Sequence, residues 1–391
     1  MNPTDPIVRE LEKKWVPALI ATWRKAHKSK GPDDRLTPAE VKEVGAAVKR
    51  LSHGLTRERE LAGARYMDDP RLLGAYLLFY WPVSYAQGRH ALRELPRKPR
   101  TVLDLGSGPA PLALAAVDHG AAEVTAADRS QPALDMARAI AGQGGEGLRV
   151  RTWDGLREGG EPPEGEYDLV TLGHVINELW AGEPGAVLRR TDLLERLLQR
   201  VKPKGSLLVV EPALRETTRG LLQVRDLLVE RGYAIRAPCL YRGACPALTK
   251  ESDWCHAERP WQPPQLVQEI ARAAGLHKEA LKMSYLVIAP KGEAWPELRP
   301  EKRLFRIVSE PLQSKGRLRY MGCGPEGRVG LSLQEKHVNK GNKPFAYLHR
   351  GDVIAVTDTE EKGDGLGLGE SSRVEVVAAA GKPMPEPWEW K

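Results

Sequence analysis

The chain contains four cysteines, and three of them stand within "CLYRGACPALTKESDWC", residues 239–255. Five residues separate Cys239 from Cys245 and nine separate Cys245 from Cys255. Cys323 follows after a further 67. This is not the paired C-x-x-C of a zinc ribbon. Four thiolates with none to spare nevertheless match an all-cysteine, four-ligand site, either iron–sulfur or zinc. Soft thiolates on loosely spaced loops suit a cubane cluster, whose corners lie farther apart than the ligands of one zinc ion. His256 adjoins Cys255 and reads as a neighbour rather than a ligand. A radical S-adenosylmethionine enzyme would need three closely spaced cysteines, commonly C-x-x-x-C-x-x-C, so the spacing excludes it.

A second chemistry lies in "VLDLGSGPAPLALAA", a glycine-rich turn between a strand and a helix. Gly106 and Gly108 let the backbone approach a ligand closely. "VTAADRS" places Asp128 at the end of the next strand, where a carboxylate accepts hydrogen bonds from ribose hydroxyls. A dinucleotide or S-adenosylmethionine (SAM) fits this layout. Pro111 stands where a dinucleotide site wants its third glycine, and this favours SAM, which has no pyrophosphate. The stretch resembles the first motif of the Rossmann-like methyltransferases, with Ala110 in place of the last glycine often found there. That resemblance implies an adenine contact at Asp154 and extends to "VKPKGSLLVVEP". The expected cofactor set is Asp104, Gly106, Ser107, Gly108, Asp128, Arg129, Asp154 and His174. His174, Asn177 and Glu178 of "GHVINELW" would sit near a transferred methyl group. His174 and Glu178, four apart, share a face if the segment is helical. They are candidates for a catalytic base, or else cap a helix and line the pocket.

The elements that must position these groups follow from periodicity. Residues 1–98 read as helical: Thr37 as N-cap, Pro38 at the first position and Glu40 closing a capping box open one helix, and Gly54 stops it. The aromatic cluster Tyr76, Phe79, Tyr80 and Trp81 reads as core, in a helix bent or broken by Pro82. Residues 99–292 alternate strands and helices, which implies an α/β fold with a parallel, doubly wound Rossmann-like sheet. The cysteine stretch forms an insertion, 234–260, near its edge. Residues 300–380 give short alternating runs with Gly, Asn and Asp turns, as in a small β-barrel of the OB type. These runs include "FAYLHRGDVIAVTDTE" and "SRVEVVAAA". Residues 381–391 read as a disordered tail.

At 391 residues the chain exceeds one core's usual size. It lacks an apolar run long enough for a membrane span and an apolar signal-peptide core, so a cytoplasmic or organelle-matrix location and no membrane partner are expected. In such a reducing compartment, clustered cysteines serve as ligands or catalytic thiols rather than disulfides. The net charge is +7. From Pro300 to Arg350 eleven Lys and Arg face four acidic residues, whereas residues 351–391 carry nine acidic against four basic. A local basic segment points to nucleic acid. Arg317 and Arg319, two apart on a strand, share a face, with Tyr320 turned inward. Lys315, Lys336, Lys340 and Lys343 extend it.

The combination of "LSHGLTRERELAGARYMDDPRLLGAYLLFYWP", "VLDLGSGPA", "GHVINELW", "LLVVEP", the cysteine triplet and the distal Cys323 resembles the methyltransferase-like family of the small ribosomal subunit, known from the mitochondrial ribosome assembly factor. The resemblance spans about Leu51 to Val377. It implies a 4Fe–4S cluster held by Cys239, Cys245, Cys255 and Cys323, clamping the insertion to the β-module. It also implies binding, as a monomer, to small-subunit rRNA in a ribosomal precursor, with methyl transfer to rRNA left open. Two alternatives stand: an inactive RNA-binding protein on a methyltransferase fold, and a small-molecule SAM methyltransferase with a structural zinc site.

Overall fold

The computed structural model describes residues 5–144, 147–157, 160–295, 298, 302–363 and 365–385. The chain begins with helices α1 (Pro6–Glu10) and α2 (Val16–His27), joined by a π turn, and α3 (Pro38–Thr56). The α3 capping box is present: Glu40 N donates to Thr37 Oγ1 at 3.3 Å and Thr37 N to Glu40 Oε2 at 2.7 Å. Gly54 does not stop the helix. A Cβ there would lie 2.6 Å from the Leu61 side chain, so close packing explains this glycine.

Helices α4 (Pro70–Ala75) and α5 (Trp81–Leu92) run on through a wide π turn, Tyr76–Tyr80. Pro82 was expected to bend or break this helix. It has no N–H for the preceding turn and its ring crowds that turn's carbonyl; the extra residue of a π turn lets the helix pass. Tyr76, Phe79 and Trp81 are buried in the core.

The first sheet contains β1 (Thr101–Leu105), β2 (Glu123–Asp128), β3 (Leu148–Thr152), β4 (Tyr167–Gly173) and β5 (Val201–Pro212). Strands β6 (Ile235–Ala237), β7 (Ala257–Pro260) and β8 (Ala280–Ile288) complete it. Between them run α6 (Pro111–Asp118), α7 (Gln131–Ala141), α8 (Ala186–Leu198), α9 (Arg215–Glu230) and α10 (Gln265–Ala274). The order is β3-β2-β1-β4-β5-β8-β6, with β7 also on β8. The first five strands are parallel and β8 is antiparallel to its neighbours. The N-terminal helices, α6, α7 and α10 pack on one face, while α8 and α9 pack on the other. Both faces being covered, β5 carries an unbroken apolar run, Leu207–Val210, and β4 one interrupted only by Thr171. The stretch 234–260 is not wholly an excursion, because it leaves and re-enters the sheet as β6 and β7. Helix α9 is absent from the sequence expectation.

The second sheet comprises β9 (Arg303–Ile307), β10 (Leu312–Ser314), β11 (Arg317–Gly324), β12 (Gly327–Gln334), β13 (Val353–Lys362) and β14 (Gly365–Ala378). Its order is β10-β11-β12-β14-β13-β9, and β9 pairs with β11 as well. Phe345, Tyr320, Ile307 and Leu331 fill its core. "FAYLH" is not a strand: Lys343–Tyr347 form a 3₁₀ turn. It is held by the buried Asn342 amide, which donates to the carbonyls of His337 and Gly369. Of the expected disordered tail, 386–391 lie outside the described residues. Residues 381–382 follow β14 in a turn closed by Lys382 N on Ala379 O at 2.9 Å. Among the described residues no helix is long and apolar enough to cross a membrane.

Candidate functional site

The strand order reverses between β1 and β4, and in open α/β sheets ligands bind outside the carboxyl ends of the strands at such a point. A cavity lies there. Its wall includes Gly106, Asp128, Arg129, Asp154, His174 and Glu178 from the loops after β1 to β4. The turn after β1 adopts positive φ at Gly106 (65°), Gly108 (53°) and Ala110 (64°). A Cβ on Gly106 would meet the Val175 side chain at 2.5 Å, so only glycine fits. Ala110 occupies a left-handed position where glycine would be relaxed. Asp128 braces the turn, accepting from Gly108 N at 2.7 Å and from Ser130 N at 2.8 Å. The buried Ser107 Oγ has no hydrogen-bond partner.

Ser107 and Gly108 are not among the residues that line the cavity, and neither is Asp104. Asp104 accepts from Thr171 Oγ1 at 2.6 Å and Ala113 N at 3.1 Å, and so ties β1 to β4 and α6. Burial raises its pKa to about 7. Arg129 donates to the carbonyls of Gly63 and Ala64, fastening the segment 57–69 across the cavity mouth. Arg65 faces Asp154 at 3.9 Å on that strap.

Residues 174–178 form a turn rather than a helix, yet His174 and Glu178 both reach the cavity. The Gln87 amide donates to Lys282 O at 2.9 Å, so its oxygen faces His174 Nε2 at 2.9 Å and that nitrogen carries the proton. Burial, then Lys278, lowers the His174 pKa to about 4, so the ring is neutral. Burial raises Glu178 to about 7; it accepts from Gly63 N at 3.2 Å. Asn177 turns away, and its Oδ1 accepts from Arg59 at 2.9 Å.

Sequence reasoning missed Glu211, the residue that shapes this turn. At the end of β5 and fully buried, it accepts from Val175 N (3.1 Å), Ile176 N (2.9 Å) and Asn177 N (3.3 Å). Burial pushes its pKa up to about 8. A carboxylate closing the apolar run "LLVVE" was the available signal.

All four cysteines are free thiols and line one pocket between the two sheets. Cys323 on β11 sits between Arg306 of β9 and Arg328 of β12 in the strand register, facing the 239–255 loops. Helix α9 holds those loops. Arg225 donates to the carbonyls of Tyr241 and Gly243, and Asp226 accepts from Cys245 N at 2.9 Å. Arg219 donates to the carbonyls of Ala247, Lys250 and Asp253. Arg328 of β12 pairs with Asp253, tying the second sheet to the same loop. Burial raises the Cys245, Cys255 and Cys323 thiols to about 12, with neighbouring cysteines adding to the effect. Among the described residues no group of three or more His, Cys, Asp or Glu is placed to hold a metal ion.

On the second sheet Lys315, Arg317, Arg319, Lys336, Lys340 and Lys343 are all exposed. Tyr320 is buried edge-on against Phe345.

The sheet order, the glycine turn and the acidic strand end define a Rossmann-like methyltransferase fold. The chain belongs to the family described as mitochondrial small ribosomal subunit Rsm22, whose model matches residues 73–363. It is similar to a curated ribosomal protein L11 methyltransferase of Symbiobacterium thermophilum, 32% identical over 134 residues, 32% of this chain. The match spans 39% of that relative's length. Among solved structures, one similar chain is the ribosomal protein L11 methylase of Lactobacillus delbrueckii subsp. bulgaricus, 16% identical. The match covers 53% of this chain and 77% of that one, with TM-score 0.32. Another is the precorrin-6y C5,15-methyltransferase of Geobacter metallireducens, 15% identical, covering 53% and 87%, with TM-score 0.31.

Proposed function

We propose that this protein is a cytoplasmic, monomeric assembly factor of the small ribosomal subunit. It binds SAM at the β1/β4 switch point, holds a 4Fe–4S cluster on Cys239, Cys245, Cys255 and Cys323, and grips rRNA through its second sheet. The observation that carries this is the shared pocket: cysteines from both sheets face one space lined by Arg225, Arg259, Arg306 and Arg350. Arg225 Nε, Arg259 Nε, Arg306 Nε and His256 Nδ1 are buried there without a hydrogen-bond partner, and the arginine N–H groups could donate to sulfur. Four thiols lining one pocket match an all-cysteine, four-ligand site, and soft thiolates on loosely spaced loops favour a cluster over a single zinc ion.

For SAM, the fit rests on the glycine turn and on Gly106, Asp128 and Asp154, which line the cavity. Gly106, Ser107 and Gly108 cradle the ligand, Asp128 accepts from the ribose, and Asp154 meets the adenine. When bound, SAM supplies an electrophilic methyl group. Asp128→Ala removes the ribose acceptor and the brace on Gly108, a loss of about 1–3 kcal/mol, or roughly five- to 150-fold in Kd. Calorimetry with the cluster-replete protein measures it; unchanged affinity would place the ribose elsewhere.

A second reading, in which SAM is held without methyl transfer, draws support from the engaged state of the candidate bases. His174 is bonded to Gln87, Glu178 to Gly63 and Asn177 to Arg59. Radiolabelled SAM incubated with small-subunit rRNA separates the two readings by whether label enters RNA.

The second sheet supports an OB-type barrel. Strands β9, β11, β12, β14 and β13 pair in a ring, with β12 and β14 parallel, the five-stranded Greek-key arrangement that binds oligonucleotides. Arg317 and Arg319 project from it beside the lysines. Reversing both to Glu is expected to weaken rRNA binding across sequences and to reduce the log–log salt slope by about 2. Filter binding over a salt series reads both, and an unchanged slope would move the RNA site to the N-terminal helices.

A further inference from the structure

The wall of the cavity at the β1/β4 switch point carries four carboxylates, Asp68, Asp128, Asp154 and Glu178. Three are accounted for inside the protein. Asp128 accepts from Gly108 N and Ser130 N. Asp68 accepts from Arg65 Nε at 2.9 Å and Ser130 Oγ at 2.7 Å, and Asp154 faces Arg65. Glu178 has two neutral donors, Gly63 N at 3.2 Å and the Tyr66 hydroxyl at 3.5 Å. The cations around it are spent elsewhere. Arg59 donates to the carbonyls of Leu55 and Asn177 and to the Asn177 side chain, and Arg129 donates to the carbonyls of Gly63 and Ala64. His174 is neutral and adds no charge. A carboxylate taken out of water without a cation is costly, and burial accordingly raises Glu178 to about 7. A cavity-facing carboxylate in that condition is a receptor for a cationic ligand.

Both donors to Glu178 belong to the strap 57–69. Residues 63–68 form one side of the cavity, and Gly63 is gripped at both ends, its N–H by Glu178 and its carbonyl by Arg129. Its φ is 79°, and a Cβ there would lie 2.9 Å from Glu178 O, so only glycine lets the strap come this close. SAM carries a positive charge on its sulfonium, where S-adenosylhomocysteine has a neutral thioether. The two ligands share their adenosine, ammonium and carboxylate. On the reading that this cavity binds SAM, we propose that Glu178 reads the sulfonium charge and relays it to the strap, so that the site closes over SAM in preference to S-adenosylhomocysteine. A cation beside Glu178 holds it as the carboxylate. An ionised acceptor takes a stronger hydrogen bond from Gly63 N and the Tyr66 hydroxyl than a neutral carboxyl does. Ligand charge and strap closure are thereby coupled, in a cavity where water screens them weakly. The same pairing stabilises the charge that methyl transfer would remove, so it favours holding SAM over consuming it.

Calorimetry on the full chain uses SAM, S-adenosylhomocysteine and sinefungin, in which an amine-bearing carbon replaces the sulfonium. Wild-type protein should bind SAM and sinefungin about tenfold more tightly than S-adenosylhomocysteine. Glu178→Gln keeps the shape and one acceptor oxygen but not the charge. In it SAM should weaken about tenfold while S-adenosylhomocysteine hardly changes. Trypsin cutting after Arg57 and Arg65, both exposed on the strap, gives a second readout. Saturating SAM should slow that cleavage more than saturating S-adenosylhomocysteine does in the wild type, and the two should act alike in Glu178→Gln. Equal weakening of both ligands in Glu178→Gln would set the ammonium rather than the sulfonium at Glu178 and overturn the proposal. Wild-type protein that binds all three ligands alike overturns it too, and that comparison stands even where Glu178→Gln fails to fold. Wild-type protein that binds none of them overturns the SAM reading itself.

Discussion

Replacing Cys323 with serine is expected to strip the iron–sulfur group from the whole protein, although the other three cysteines lie far away in sequence. Serine's hydroxyl is a poor ligand for iron at neutral pH, whereas the thiolate is a strong one. The loss should reach beyond colour. Cys323 sits where β9 and β12 flank β11, so a cluster on the four cysteines would join the 239–255 loops to the second sheet. Without it four thiols are left unliganded in one pocket between the sheets, and the binding free energy that would tie them together is lost. Iron should fall to background, and limited proteolysis should cut the 239–255 loops. Full iron content in Cys323→Ser would exclude the four-ligand arrangement.

The second large effect is expected at Glu211. Glu211→Ala leaves the backbone N–H groups of Val175, Ile176 and Asn177 without their acceptor in a buried turn. At about 1–3 kcal/mol per orphaned donor the cost reaches roughly 3 kcal/mol or more, beyond most single substitutions. Because that turn presents His174 and Glu178 to the cavity, SAM affinity should fall together with stability. Glu211→Gln, which keeps one acceptor oxygen, should be milder in both. Urea unfolding and calorimetry measure the pair of effects; a change below about 1 kcal/mol in Glu211→Ala would show that the turn holds itself.

Much of the first sheet is legible in the sequence because each strand is a short apolar run and each helix carries a cap or a clean periodicity. Thr37 and Glu40 announce α3, and Gly106 and Gly108 announce the cofactor turn. Helix α9 escapes because its buried stripe is not apolar. Thr217, Thr218 and Arg225 are buried alongside Leu221, Val224 and Leu228, and a buried arginine breaks the expected pattern. The start of β14 escapes for the opposite reason. "GLGLGE" reads as a turn, but a Cβ on Gly365 would lie 2.5 Å from Gly330 O, so the glycine marks close strand approach. Glu211 escapes because a charge closing a strand reads as an exit to solvent. The arginines around the cysteine pocket could not be read at all: residues 225, 259, 306 and 350 share no spacing, and only the packing of two sheets unites them.

In the cofactor site the residues on glycine turns and strand ends were legible, since their types state their purpose. Asp104 illustrates the limit. Its position beside the turn suggests a ligand contact, whereas its carboxylate is spent inside the protein on Thr171 and Ala113.

The most direct test of the account is the metal content of the wild-type full-length chain purified without oxygen. The account predicts a brown protein with iron and acid-labile sulfide in equal amounts, bleaching slowly in air. Stoichiometric zinc with no sulfide would contradict it, leaving a zinc staple between the sheets.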